Sequence, residues 1–217
     1  MKQVILPGSI LCVSLLATLL AAFKVPFPLL QGSRIKSALA KVDPATLLTT
    51  SSLCLGPEDA EAKIVMFGDY ECPPCRLEWP SLRDLALKHE GKLAVHFQHF
   101  PLTNIHPNAL DAAVAAEYAK AQGRFPQVHD FLYSSQAAHQ FGSGKFQQSL
   151  DKNLVSQGVD PKGLVDASFE IRKSVVKDMN TGRSLGVSGT PTFFLITRKR
   201  NVYLLNSIAD AESLLRL

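Results

Sequence analysis

The stretch FGDYECPPCRLEWPSL, residues 67–82, holds two of the chain's four cysteines, Cys72 and Cys75, with two prolines between them. Before it, AKIVMFGDY (62–70) contains four consecutive apolar residues, which is typical of a buried strand. After it, residues 75–89 space their apolar side chains as an amphipathic helix does. The sequence therefore predicts a strand, a cysteine pair and then a helix that begins at the pair.

The rest of the chain continues this alternation. The segments KLAVHFQHFPL (92–102), TPTFFLI (190–196) and VYLLN (202–206) predict three further strands, and DAESLLRL (210–217) predicts a closing helix. A block of helical segments begins at Pro107, and Asp160 followed by Pro161 predicts the N-cap and first turn of one of them. The predicted order is strand, helix, strand, helical block, strand, strand, helix.

The charge distribution argues against a nucleic-acid partner. The chain has a net charge of +4, but its Lys and Arg residues are scattered. The longest basic run, residues 198–200, lies between two predicted strands, where a solvated turn is the simpler interpretation.

The N-terminal region predicts a membrane segment and a linker. Residues 4–22 carry no charge and are long enough to cross a bilayer as a helix. A removed signal peptide is the alternative, but the cleavage site is poor, so we expect residues 1–23 to form an uncleaved anchor. The short N-terminal flank before the apolar stretch carries one Lys, which favours export of the main domain. The basic residues after the apolar stretch favour the opposite orientation. Residues 24–52 predict a linker, and residues 53–217 the folded domain.

The cysteine pair has three interpretations. A structural zinc site needs about four ligands, and the chain has no second C-x-x-C, while His89 and His96 lie on different predicted elements. A structural disulfide between residues three apart closes a very small loop and stabilises the fold little. We therefore expect no metal at the pair and favour a working redox couple.

The predicted position explains how the couple can react. At a helix N-terminus, the partial positive charge and free amide hydrogens stabilise a thiolate, which makes Cys72 the expected exposed nucleophile. Cys75, one turn further on, is shielded and can resolve the mixed disulfide formed at Cys72. Cys72 and Cys75 are thus the expected catalytic residues and the expected redox disulfide, and they need no cofactor.

These motifs, together with HFPL, HPNALDAAVAAEYAKAQGRF and LGVSGTPTFF, resemble the DsbA-like branch of the thioredoxin superfamily over roughly residues 54–205. The resemblance implies an α/β thioredoxin fold with a helical domain, about residues 107–182, inserted between the second and third core strands. It also implies a cis peptide bond at Thr190–Pro191, in a substrate-binding loop beside the cysteines. In this family such a loop pairs with an extended substrate segment.

The sequence departs in two ways from the residue pattern of the thioredoxin superfamily. Many relatives carry a buried acid six positions before the first cysteine, where this chain has Met66; we expect Asp69 and Glu71 to point into solvent instead. A missing buried base favours an oxidant, whereas Pro74 offers no amide hydrogen to the thiolate and favours a less oxidising pair. The direction of electron flow is therefore left open by these residues.

Several other residues have simpler structural interpretations. Cys54 is expected to be an unpaired, partly buried thiol, with an auxiliary redox role as the alternative. His96 and His99 point to opposite faces of a strand and are poor co-ligands, and His106 is expected to pack at a helix start. Trp79, Phe125, Phe131 and Tyr133 are expected in the core rather than in a substrate groove.

The sequence therefore predicts a membrane-tethered, extracytoplasmic thiol–disulfide oxidoreductase, as in a bacterial periplasm or cell envelope, acting mainly as an oxidase. Its expected partners are exported proteins that contain cysteines and a membrane redox protein that resets the pair. The alternatives are a reductase or isomerase of the same fold, or a non-catalytic chaperone or docking module.

Overall fold

The computed structural model describes residues 38–48, 52–134, 137, 141 and 143–215. In chain order the strands are β1 (Ala38–Ala40), β2 (Ser52–Leu55), β3 (Ala62–Gly68), β4 (Leu93–His99), β5 (Thr192–Ile196) and β6 (Val202–Leu205). The helices are α1 (Pro44–Leu48), α2 (Pro73–Lys88), α3 (Ala109–Ala121), α4 (Phe125–Leu132), α5 (Phe146–Ser156), α6 (Pro161–Ser184) and α7 (Ile208–Leu215). The predicted anchor at residues 4–22 lies outside the described residues. Within those residues, no helix has the length and apolar character needed to cross a bilayer.

The strands form one sheet in the order β1-β6-β5-β3-β4-β2. Strands β3 and β4 pair in parallel through the crossover helix α2, and the other neighbouring strands pair antiparallel. Helices α3 to α6 lie in the chain between β4 and β5, which are the second and third strands of the core. From β3 onward, the predicted order of strands and helices is confirmed, whereas β1, α1 and β2 were not predicted.

The two faces of the sheet pack against different helices because side chains alternate along each strand. On one face, Ile64 and Met66 of β3 join a large core with α2, α3 and α4. On the other face, Val65 and Phe67 join a smaller core with Phe100 and the chain around α1. All of β3 except Lys63 is buried, as expected for a strand covered on both sides.

The folded domain begins before the end of the predicted linker, residues 24–52. Strand β1 pairs with β6, placing Leu39 opposite Tyr203. Leu47 of α1 is completely buried, and its carbonyl oxygen accepts a hydrogen bond of 2.7 Å from the Gln98 side chain. These elements were missed because a strand of three residues and a helix of five are too short to show a period. The described part of 24–52 therefore belongs to the fold.

Two local predictions are confirmed. Asp160 caps α6, because its carboxylate accepts a hydrogen bond of 3.0 Å from the Lys162 amide, and Pro161 begins the helix. The basic residues 198–200 are exposed in the turn between β5 and β6. There Arg200 adopts a φ of 62°, which the tight connection requires.

Candidate active site

Cys72 is the N-cap residue of α2 and directly follows the loop at the end of β3. Its amide donates to the carbonyl oxygen of Asp69 at 3.2 Å, and its own carbonyl accepts from Arg76 at 3.3 Å. Pro73 and Pro74 occupy the first two helical positions and have no N–H. The first free amide hydrogen of the helix therefore belongs to Cys75.

The two cysteines are held as free thiols and differ in burial. Cys75 is completely buried, while Cys72 keeps 5% of its surface exposed. The Cys72 thiol donates to the carbonyl oxygen of Thr190 at 3.3 Å. The expectation of an openly exposed Cys72 is therefore wrong, because the loop containing Thr190 lies against its sulfur.

The environment separates the acidities of the two thiols. The pKa of Cys72 is lowered to about 6, mainly because the Cys75 thiol donates a hydrogen bond to its sulfur. Thr190 and the Cys75 amide also lower this pKa. Burial and the charge of Asp69 act in the opposite direction. Burial raises the pKa of Cys75, and its hydrogen bond to the Cys72 sulfur raises it further. One thiol is thus prepared to ionise near neutral pH and the other to stay protonated.

The peptide bond between Thr190 and Pro191 is cis. Both residues are half-buried, and Pro191 lines a groove of about 210 Å³ with Phe194, Leu204 and neighbouring residues. The structure therefore brings together the four residues that the sequence singled out: Cys72, Cys75, Thr190 and Pro191.

Asp69 does not point into solvent as predicted, since only 1% of the residue is exposed. One carboxylate oxygen accepts from the Glu71 amide at 2.8 Å, and the other accepts from the Leu102 amide at 2.8 Å and from His106 Nδ1 at 2.7 Å. Leu102 and His106 follow β4 in the chain, more than thirty residues after Asp69. A local pattern gives no signal for hydrogen bonds of that kind.

Glu71 is also turned inward. Its carboxylate accepts from the Asn108 amide at 2.8 Å and lies 3.4 Å from the Asn108 side-chain nitrogen. Asn108 is the N-cap residue of α3. The two acids before Cys72 therefore attach the cysteine loop to the start of the helical insertion.

An aromatic cluster lies beneath the cysteines. The Tyr70 hydroxyl and His129 Nδ1 are 2.8 Å apart, and Trp79 Nε1 donates to Asp130 at 2.9 Å. Trp79, Phe125 and Tyr133 are at most 5% exposed, which confirms that they pack in the core. Met66 is completely buried, so the position six before Cys72 supplies an apolar wall and no base.

The remaining cysteine and histidine candidates lie away from the pair in the chain. Cys54 is 7% exposed on β2 as a free thiol, and burial raises its pKa. His99 lies with Glu117 and Asp178, and ligand atoms of these three residues fall within 4.8 Å of one another. Among the described residues, this largely buried cluster is the group whose ligand atoms lie close enough to hold a cation. The sequence did not indicate it, because it joins β4, α3 and α6.

The comparisons agree with this geometry. A family model described as thioredoxin matches residues 48–206. A probable disulfide bond formation protein D from Bacillus anthracis is 32% identical over 151 residues, which cover 65% of this chain and 68% of that protein. A Na(+)/H(+) antiporter NhaA 1 from Salinispora arenicola is 35% identical over 150 residues, covering 67% of this chain. The chain spans only 22% of that antiporter's length.

Solved structures show the same fold at lower identity. Oxidised BdbD from Bacillus subtilis has a TM-score of 0.64 and 17% identity, covering 83% of this chain and 97% of that one. A thioredoxin-like oxidoreductase from Silicibacter pomeroyi has a TM-score of 0.63 and 20% identity, covering 79% and 95%. The fold and the matched region define the class, a thioredoxin-fold protein. Within that class, the chain belongs to the DsbA-like family of thiol–disulfide oxidoreductases, and the predicted α/β fold is confirmed.

Proposed function

We propose that this protein is an extracytoplasmic thiol–disulfide oxidase that exchanges disulfides with exported proteins through Cys72 and Cys75. The observation that carries the proposal is the opposite shift of the two thiols: the pKa of Cys72 is lowered to about 6 and that of Cys75 is raised. Membership of the DsbA-like family supports the reaction class.

The low pKa of Cys72 favours electron flow from substrate to protein. At pH 7 a thiol with this pKa is about ten times more often thiolate than thiol, which stabilises the reduced form. A couple with a stabilised reduced form is an oxidant. Pro74 does not remove this effect, because the Cys75 amide also favours the thiolate.

The proposed substrate oxidation proceeds through two thiol–disulfide exchanges. A substrate thiolate attacks the Cys72 sulfur of the Cys72–Cys75 disulfide, and Cys75 leaves and takes up a proton. A second substrate thiolate then attacks the substrate sulfur of the mixed disulfide, and Cys72 leaves as the thiolate. The substrate loses two electrons and the protein gains them. A low pKa makes Cys72 a good leaving group in the second exchange.

The Thr190–Pro191 loop is the proposed substrate-binding element. Thr190 contacts the Cys72 sulfur, and Pro191 opens onto the adjoining groove. An extended substrate segment lying along this loop brings its cysteine to Cys72. The proposed partners are exported proteins that contain cysteines and a membrane redox protein that reoxidises the pair, with the apolar segment 4–22 retained as an anchor.

The reduction potential of the pair tests the direction of electron flow. Equilibration with glutathione should give a value less negative than about −200 mV, toward the oxidising end of the thioredoxin-fold range. A value near the roughly −270 mV typical of thioredoxin contradicts the oxidase assignment and favours a reductase.

Substrate oxidation tests whether the fold is catalytic. The wild-type protein should oxidise a reduced, unfolded substrate, and Cys72→Ser should abolish that activity, whereas Cys54→Ser should retain it. Unchanged activity in Cys72→Ser would rule out the interpretation as an enzyme and would favour a docking or chaperone module.

A further inference from the structure

A buried carboxylate lies one turn before the reactive cysteine. The side chain of Asp69 is 0% exposed, and both of its oxygens accept hydrogen bonds. Three donors converge on the carboxylate, and its charge acts on Cys72 from inside the protein.

This charge opposes the reaction that the site has to perform. The Asp69 carbonyl accepts from the Cys72 amide at 3.2 Å, so the two residues belong to the same tight turn. The negative charge of Asp69 raises the pKa of Cys72, because it repels the thiolate. An uncompensated carboxylate here works against a low thiol pKa.

His106 is the basic side chain that contacts Asp69. Its Nδ1 lies 2.7 Å from Oδ2, and its side chain is 16% exposed, compared with 0% for its partner. His106 lies between β4 and α3, so tertiary folding alone brings it to the cysteine loop. An imidazole in this place donates a hydrogen bond and, when protonated, cancels the charge of the carboxylate.

The other ionisable groups around Asp69 do not supply this compensation. Glu71 is acidic, and its carboxylate is occupied by Asn108. Burial raises the pKa of the Tyr133 phenol, and the charge of Asp69 acts in the same direction, so this group stays neutral. Cys75, on α2, has a raised pKa and stays protonated. Among the described residues that hydrogen-bond to the Asp69 carboxylate, His106 is thus the one whose side chain can carry a positive charge.

We propose that Asp69 and His106 form a positioning pair, in which Asp69 fixes the cysteine loop and His106 cancels the carboxylate's repulsion of the Cys72 thiolate. The hydrogen bonds of Asp69 join the loop before Cys72 to the segment that enters α3, while the imidazole offsets the electrostatic cost of burying a carboxylate there. This inference rests on the proposed redox role of Cys72, but thiol ionisation is measured without any substrate.

The test replaces His106 by a residue that donates a hydrogen bond and carries no charge. His106→Asn should raise the pKa of Cys72 by about 1 unit, so that iodoacetamide reacts about fivefold more slowly at pH 6. The matched control is His89→Asn at the other end of α2, roughly 24 Å along the helix, which should change neither value. A folded His106→Asn with wild-type thiol ionisation overturns the proposal.

A second variant separates charge from packing. Asp69→Asn/His106→Asn removes both charges, so the pKa of Cys72 should return toward the wild-type value even if the loop is less stable. If the charges are irrelevant and only packing matters, the double variant should depart further from wild type than His106→Asn does. That result also overturns the proposal.

The native protein provides a measurement that does not depend on any variant folding. If His106 senses the charge of Cys72, the coupling is reciprocal. The titration midpoint of the His106 ring proton signal should lie at higher pH in the dithiol form than in the disulfide form, while the His89 signal stays in place. Equal midpoints for His106 in both forms contradict the proposal, whereas a failed oxidase assay with shifted midpoints contradicts only the proposed function.

Discussion

The Cys72 thiol donates to the carbonyl oxygen of Thr190 at 3.3 Å, so the residue before the cis proline touches the reactive sulfur. The Thr190 hydroxyl also favours the thiolate and helps to lower the pKa of Cys72. The carbonyl oxygen of Thr190 therefore accepts from the protonated sulfur, while the buried hydroxyl makes no hydrogen bond within the described part of the chain and is free to donate to an ionised sulfur.

Removing the Thr190 hydroxyl should weaken the thiolate. Thr190→Val keeps the carbonyl and the side-chain shape, so we expect the pKa of Cys72 to rise from about 6 by roughly half a unit to one unit. Thiolate absorbance during a pH titration of the reduced protein measures the change. Thr181→Val is the matched control, because the Thr181 hydroxyl donates to the carbonyl oxygen of Lys177 in an exposed part of α6. An unchanged titration in Thr190→Val would show that the hydroxyl does not reach the sulfur.

Removing the resolving thiol should trap substrate on the protein. In Cys75→Ser, the Cys72 thiolate can attack a substrate disulfide, and one substrate sulfur leaves as a thiolate. The mixed disulfide then persists, because the shielded thiol that would displace the substrate is absent. We expect turnover to fall to the uncatalysed level and covalent complexes to appear on non-reducing gels. Cys72→Ser should form no such complexes. If Cys72→Ser traps substrate and Cys75→Ser does not, the roles of the two cysteines are reversed.

The motif around Cys72 and Cys75 was readable from sequence because its signals are local. An apolar run before the pair and helical spacing after it place the cysteines correctly, and Asp160 followed by Pro161 gives the start of α6. The short elements β1 and α1 gave no periodic signal. They are held by contacts distant in sequence, such as Gln98 with Leu47.

The errors at the site have the same physical origin. Asp69 and Glu71 are polar loop residues, so exposure is the expectation from sequence. Asp69 is buried and Glu71 is half-buried, because their partners, His106 and Asn108, follow the next strand. The buried cluster of His99, Glu117 and Asp178 draws one residue from each of three elements. Such groupings depend on tertiary packing, which spacing along the chain does not report.

The end of β3 requires glycine for packing rather than for backbone freedom. A Cβ on Gly68 would lie 2.4 Å from a Phe97 ring carbon and 2.7 Å from the Tyr133 hydroxyl oxygen. Gly68→Ala should therefore lower the free energy of unfolding by about 1–3 kcal/mol, measured by urea denaturation. Gly189→Ala is the matched control, because its Cβ meets no atom within 4 Å. Equal stabilities of the two variants would contradict the close packing at Gly68.

Glu117 should make the folded protein sensitive to acid. Burial acts to raise the pKa of its carboxyl, but His99 and Lys120 outweigh burial and hold it at about 2. Because the folded value lies below the value of about 4.3 in an unfolded chain, the stabilisation is present above pH 4.3 and is lost as pH falls through about 2.

Replacing this carboxyl by an amide tests the sign of the effect. Glu117→Gln should lower the free energy of unfolding by up to about 3 kcal/mol at pH 7, and the deficit should shrink steadily between pH 5 and pH 2. Glu170→Gln is the matched control, because its ion pair with Lys173 is largely exposed and contributes little. Urea denaturation at a series of pH values measures the difference. A deficit that stays constant down to pH 2 would mean that the amide disturbs packing and that the charge of Glu117 does not stabilise the fold.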